Sequence, residues 1–429
     1  MTAGLFDRVG VLRPLRHRDF RLLWAGTAAS LIGDGFFMIA LAWQVYSLGG
    51  SPAALGAAGV AWTLPLALLI APGGVLADRV DRRYPMIAGD LLRGAAVAAM
   101  AALSLTGAIT IEWIVGLLLV FGVGEAIYTP AFEAVTPALV PEADLVQANS
   151  LSQVVIPVAR TLAGPFLGGI IIGVAGVGTA FAVDAATFAA SAVTVALISH
   201  RRARDPEPAS IAEDFREGVR FVRGARWLWV GLVSTSVAIL CTLGAWDVLI
   251  PFLVKNDLHS GAVALGLVFA AAGAGAGVAA ILLGQRARLP RRALTAYYVA
   301  WAVTSGAMAG FGVVLHVWQA ALVALVVEAA STAQSVYWLT IEYRLVPAKM
   351  LGRVVSLDGM IALAGVPLSY AVIGPLANLI GVRAALVATG LAGALVMLVP
   401  IAVPGALTPQ ADGSLAEPQA GRTRGSSQA

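Results

Sequence analysis

Long apolar runs, broken by short polar or Gly/Pro-rich punctuation, succeed one another along the whole chain. Runs of about 20 apolar residues match the hydrocarbon thickness of a bilayer, and the ~10-residue alternating segments of a membrane barrel are absent. Backbone amides in hydrocarbon must bond within their own segment, so each run predicts a helix. The first six spans are expected at roughly 20–47, 53–77, 85–106, 111–136, 146–174 and 178–199. The second six are expected at roughly 227–254, 261–284, 292–315, 317–340, 350–376 and 382–403. The first run, Leu22 to Tyr46, is too long for the apolar core of a cleaved signal and predicts a retained span.

Polar residues set the organisation. Of 28 basic residues, 24 fall on the N-terminal arm, the alternate connections, the central linker and the tail, and only Lys255 and Arg383 fall on the opposite connections. Arg93 and Arg160 lie within spans. Such a bias predicts cytoplasmic termini in an inner (plasma) membrane and an even span count. The expected division is an arm 1–19, a six-helix half 20–199, a linker 200–226, a second half 227–403 and a disordered tail 404–429. Within the linker, Ile211, Phe215, Val219 and Val222 are spaced for a helix lying along the membrane face. The halves repeat each other: Leu139-Val140-Pro141 with Leu145, Ser150 and Leu151 recurs as Leu345-Val346-Pro347 with Leu351, Ser356 and Leu357. The arginines Arg79, Arg82 and Arg83 recur as Arg288, Arg291 and Arg292. The expected fold class is therefore all-α integral membrane, with twelve transmembrane helices in two pseudo-symmetric halves and a cavity between them.

Composition narrows the functions. Hydrophobic residues make up 59% and charged residues 12% of the chain, where a soluble domain carries about a quarter charged. No basic run is interleaved with aromatics, which argues against nucleic acid as a partner. The lone Cys241 reads as a packing residue. The Gly-rich run Gly273–Gly277 lacks the Lys-Ser/Thr of a phosphate loop, and no metal-ligand cluster or nucleophile elbow is present, so no cofactor, metal or enzymatic activity is expected. A membrane scaffold or an embedded enzyme is the different-class alternative to a transporter.

Three stretches carry a family resemblance. Gly74-Val75-Leu76-Ala77-Asp78-Arg79-Val80-Asp81-Arg82-Arg83, between spans 2 and 3, resembles the loop motif of the major facilitator superfamily, with Asp81 where glycine is usual. Gly164-Pro165-Phe166-Leu167-Gly168-Gly169 in span 5 is similar to the antiporter motif of proton-driven exporters. Arg18-Asp19-Phe20-Arg21-Leu22-Leu23-Trp24 leading to Gly33-Asp34, together with Ala148-Asn149-Ser150-Leu151, is similar to the macrolide-efflux and enterobactin-exporter branch. The resemblance implies the major facilitator fold, alternating access, and proton-coupled export of amphiphilic small molecules such as drugs, antibiotics or siderophores, by a monomer; import is the alternative direction. It also implies a conformational latch at Gly74, Asp78, Arg79, Arg82 and Arg83, with Asp358 as a carboxylate that could accept from those arginines.

Ionisable residues inside a bilayer are costly and usually functional. Asp34 lies about 14 residues into span 1, Arg160 about 14 into span 5 and Glu125 roughly 12 from the end of span 4, so at 1.5 Å per residue all three stand near 20 Å depth. They are proton-coupling candidates, with Glu328 and Asp247 as a second group. The alternative is a static ion pair that holds the bundle. Asp90 and Arg93 are spaced to satisfy each other, and Asp184 is expected near the outer surface in a packing or capping role. Trp43, Trp62, Tyr128, Trp246, Tyr337 and Trp338 are candidates for substrate contact.

Overall fold

The computed structural model describes residues 10–145, 147, 148, 151, 158–199, 211–285 and 290–411. The expectations for residues 1–9, the start of span 5, Asn149-Ser150, the linker before Ile211, Arg288 and the tail from 412 lie outside these residues. Twelve long helices follow in order. In the first half they are α1 (Arg18–Ser47), α2 (Pro52–Arg79), α3 (Arg83–Leu105), α4 (Ile111–Val135), α5 (Val158–Ala175) and α6 (Val177–Ala196). In the second half they are α7 (Arg226–Asp257), α8 (Ala262–Gly284), α9 (Ala293–Gly310), α10 (Val317–Leu345), α11 (Ala348–Ile380) and α12 (Val382–Ala402).

Eleven of these helices are long and apolar enough to cross a membrane. The other is α9, where the ninth span is expected. It has 18 residues and carries Tyr297, Tyr298, Trp301, Thr304 and Ser305, all buried. Those polar atoms face protein, because α9 packs against α10 and α12. A helix shielded from lipid by its neighbours can be less apolar than one that is not.

Connections are short where the chain supplies the right residues. Gly176 joins α5 to α6 and Gly381 joins α11 to α12, each a single residue at φ +86°. A side chain is strained in that left-handed region, so glycine fits both equivalent corners. The repeated prolines also match: Pro141 and Pro347 both hold extended backbone at the cap of the element that follows.

The helix pairing repeats at an interval of six. In the first half α2 packs on α4, α3 on α4 and α6, and α1 on α5 and α6. In the second half α8 packs on α10, α9 on α10 and α12, and α7 on α11 and α12. The two main contacts between the groups, α2 with α11 and α5 with α8, are images of each other under the same shift.

Inter-half contacts gather at the end remote from the chain termini. There Lys255 of α7 reaches α1, donating to Ser47 Oγ (2.5 Å) and the Trp43 carbonyl (3.3 Å), with its ammonium 4.7 Å from the Trp43 ring centre. Tyr46 donates to the Val248 carbonyl (2.6 Å). Arg383 pairs with Asp257 (3.0 Å) and donates to the Val314 carbonyl (2.7 Å), tying α12 to α7 and the α9–α10 connection. Along α2 burial fades in the other direction: Leu55, Ala58 and Ala61 are buried, while Leu64, Leu68 and Leu76 are exposed. The contact of α11 with α2 lies at that same far end: a Cβ on Gly374 would stand 2.4 Å from Ala53 Cα, and one on Gly56 would stand 2.6 Å from the Tyr370 carbonyl. The halves thus meet at the far end and part toward the end that carries the termini.

At the termini end, three residues of the arm converge on Asp144, a fully buried carboxylate in the α4–α5 connection. Arg13 (3.1 Å), Arg16 (3.1 Å) and His17 (2.8 Å) reach it. The hydrogen bond from His17 and the two guanidinium charges hold its carboxyl below the usual carboxylate range. The linker helix (Ile211–Gly224) docks on the base of α11 through an Arg353–Glu217 pair at 2.8 Å, with Val222 buried.

Candidate functional site

Between the halves lies a cavity of about 460 Å³. Four ionisable side chains line it: Glu125 from α4, Arg160 from α5, Asp247 from α7 and Glu328 from α10. Its walls are aromatic and aliphatic, with Trp62, Trp246, Phe269, Met38, Leu243 and Val366 among them.

Local structure explains how these groups reach the cavity. Glu125 follows Gly122 and Gly124, where α4 crosses two helices closely. A Cβ on Gly122 would stand 2.1 Å from the Trp62 carbonyl of α2, and one on Gly124 would stand 2.9 Å from the Gly89 carbonyl of α3. Trp62 is braced edge-on by Phe37 and Phe121, and its indole N–H donates to Glu125 Oε2 at 2.5 Å. Arg160 and Asp247 share a different device. Each sits in a π-helical stretch, Val158–Ala163 in α5 and Ala245–Leu249 in α7. Such wide turns insert a residue into the helix, change the face that follows, and occur often at functional sites. Asp247 accepts from the Tyr370 hydroxyl at 2.6 Å, and the Arg160 charge acts on both Asp247 and Tyr370. Trp246 meets Phe269 and Phe311 edge-on. The cavity is therefore amphiphilic, with one cation among three carboxyl groups and flat apolar walls.

The remaining candidates lie elsewhere. Asp34 is not among the lining residues. It stands in α1 within electrostatic range of Arg160 and Glu125 of the cavity and of Arg93 and Asp90 of α3. Three aromatic candidates have other partners: Tyr128 lies under the Arg93 guanidinium (4.1 Å), Trp43 under Lys255, and Trp338 donates to Asp358 (2.9 Å) while stacking on Tyr297. Tyr337 is partly buried and packs with the group around Trp338. Asp184 is fully buried where α6 packs against α1 and α3.

The loop residues are only partly gathered. Arg82 donates to the Ala134 carbonyl (2.7 Å), and Arg83 bonds Asp81 (2.8 Å) and the Ile198 carbonyl (2.7 Å), so both brace the first half internally. Arg79 is exposed, and the Asp78 side chain lies outside the described residues. Asp358 is bonded to Trp338, twenty residues away on α10, rather than to these arginines. Gly74 has room for a side chain, whereas the adjacent Gly73 does not, since a Cβ there would stand 2.3 Å from the Ala126 carbonyl.

The span 5 motif packs on both sides. A Cβ on Gly164 would be 2.7 Å from Gly35 Cα, and one on Gly168 would be 2.9 Å from Phe36 Cα, both in α1. A Cβ on Gly169 would be 2.8 Å from the Ala262 carbonyl and 3.1 Å from Gly266 Cα, in α8 of the other half. Pro165 follows directly on the π-helical stretch, where the wide turn already interrupts regular helix bonding. Tyr370 is the lining residue that the sequence does not mark: its ring fills the space left by Gly59, and its hydroxyl meets Asp247.

Two repeated six-helix groups around a shared amphiphilic cavity define a membrane transporter of the major facilitator kind, not an enzyme. The transmembrane secretion effector family of that superfamily matches residues 9–418, and the chain belongs to it. It is 26% identical over 373 residues to macrolide efflux protein A of Streptococcus pyogenes, covering 85% of this chain and 90% of that one. It is 28% identical over 420 residues to multidrug efflux pump Tap of Mycobacterium tuberculosis, covering 92% and 97%. Among solved structures, a mutant of the nucleoside transporter NupG superposes with a TM-score of 0.70 at 11% identity, covering 91% of this chain and 99% of that one. A bacterial homologue of the iron transporter ferroportin in an inward-facing state gives 0.66 at 16% identity, covering 89% and 98%. These likenesses show the fold. The protein is a small-molecule transporter related to drug efflux pumps.

Proposed function

We propose that the chain is a proton-coupled antiporter, acting as a monomer, that exports amphiphilic small molecules by alternating access. The cavity carries this reading: carboxyl groups from both halves face one arginine inside walls suited to a drug-like ligand. A carboxylate that exchanges a counter-ion for a proton, as substrate enters or leaves, links the two fluxes. The related pumps, named for macrolide and multidrug efflux, support the direction and a role in multidrug resistance. With the termini cytoplasmic, as the basic residues indicate, the described conformation opens inward.

The test uses everted membrane vesicles with an acidic lumen. A radiolabelled macrolide and a fluorescent lipophilic cation should each accumulate in the lumen, and a protonophore should abolish accumulation. Accumulation only under the reversed gradient would make the protein an importer. Topology has its own check: reporter fusions after Val222 and in the tail should both report cytoplasm. A periplasmic signal from either would reverse or break the assigned orientation.

A further inference from the structure

Behind the cavity wall, α1, α3, α4 and α6 enclose a second ionisable group that the transport cavity does not contain. Asp90 and Arg93 of α3 and Asp184 of α6 are buried, at 1%, 5% and 0% exposure. Arg93 is already committed. It pairs with Asp90 at 2.6 Å, and its guanidinium face lies between the Tyr128 ring (4.1 Å) and the Phe188 ring (4.7 Å). Among the described residues Asp184 therefore pairs with no cation, and Arg93 acts on it only at a distance. Its Oδ1 accepts, among the described residues, only from Thr187, at 3.3 Å, and its Oδ2 has no hydrogen-bond partner among them. The carboxyl presses on α1 beside Asp34: a Cβ on Gly33 would stand 2.3 Å from Asp184 Oδ1. Asp34 and Asp184 act on each other electrostatically, and Asp34 also feels Arg160 at the cavity.

An unpaired carboxylate sealed among apolar groups is the costliest state this side chain can adopt, and one proton removes that cost. Two neighbouring carboxyls also resist ionising together. We propose that Asp184 binds a proton in this conformation and shares it with Asp34, so that the α1–α6 interface stores a proton behind the substrate cavity. When a cavity occupant draws Arg160 away, Asp34 loses its counter-ion and becomes the better proton acceptor. When Arg160 returns, Asp34 ionises and gives the proton up. The inference rests on the proton-coupled reading for its role, but the protonation itself can be measured without transport.

Infrared spectroscopy of the reconstituted full chain, without substrate, reads the C=O stretch of protonated carboxyl groups as bath pH is raised. The wild type should show a band that Asp184→Asn removes. Asp34→Asn should keep the band but move its loss to lower pH, because a repelling neighbour is gone. If Asp184→Asn keeps the full band, or if Asp34→Asn leaves its pH course unchanged, the shared site is overturned. The Asp34→Asn arm decides alone should Asp184→Asn fail to fold. A band lost in Asp184→Asn, together with wild-type vesicles that ignore a pH gradient, would leave the buried proton site standing and reject proton-driven export.

Discussion

Replacing Arg160 with alanine is expected to cut pH-driven transport roughly thirty-fold while leaving the yield of folded protein close to wild type. Removing one partner from a charge cluster costs about 2–5 kcal/mol, and because Arg160 is exposed to the cavity the lower end applies, about 2 kcal/mol or roughly thirty-fold. The same exposure protects folding, since no buried pair is broken. Among the described residues Arg160 is the only basic side chain lining the cavity, where it faces Glu125, Asp247 and Glu328. Without it the carboxyl groups lose their common counter-ion, so substrate is expected to move down its gradient but not uphill under a pH gradient. Glu125→Gln and Asp247→Asn are expected to weaken coupling less, because each leaves Arg160 another partner. Substrate-dependent proton flux per reconstituted molecule decides the matter. A static pair would instead lower folded yield and leave the coupling ratio intact, and wild-type ratios in all three variants would place the switch elsewhere.

The fold was legible because span length and the positive bias are set by the membrane itself, independently of packing detail. The charged lining was legible for a related reason: Glu125, Arg160, Asp247 and Glu328 interrupt apolar runs at a cost that something must justify. Helix face was not legible. A membrane helix is apolar against lipid and protein alike, so its hydrophobic pattern does not say which side meets the cavity. Depth placed Asp34 with Glu125 and Arg160, and it does stand within electrostatic range of both, but it is not among the residues that line the cavity. Trp43, Tyr128 and Trp338 were flagged by type, and each proved to cover or bond a charged side chain. The π-helical stretches that aim Arg160 and Asp247 leave no composition signature beyond the Gly164-Pro165 step that follows the first. Tyr370 was unmarked because its meaning lies in glycines of a helix far away in sequence, Gly56 and Gly59 of α2.

Glycine also sets the close approach between α5 and α8. Gly169→Leu is expected to shift the protein out of the described conformation by roughly ten- to a hundred-fold. A side chain at this position meets the Ala262 carbonyl and Gly266 Cα, which are backbone atoms that cannot rotate aside. Overpacking of this sort costs about 1–3 kcal/mol, and a factor of ten is about 1.4 kcal/mol. Gly169 lies in the first half and its obstacle in the second, so the cost falls on the state in which the two are pressed together. A conformation that parts the halves at this end escapes it, and the population follows the difference. Cysteines replacing Ser51 and Leu379, both exposed at the ends of α2 and α11 remote from the termini, can carry spin labels in a Cys241→Ser background. Pulsed electron paramagnetic resonance should show a short distance in the parent and a dominant longer one in Gly169→Leu, with Gly169→Ala between them. Gly116→Leu is the control for bulk alone, since a Cβ there meets nothing within 4 Å, and it should keep the parent distribution. If Gly169→Leu keeps the short distance as well, the α5–α8 contact is not what holds this end closed, and the Lys255 clasp between α7 and α1 becomes the element to cut.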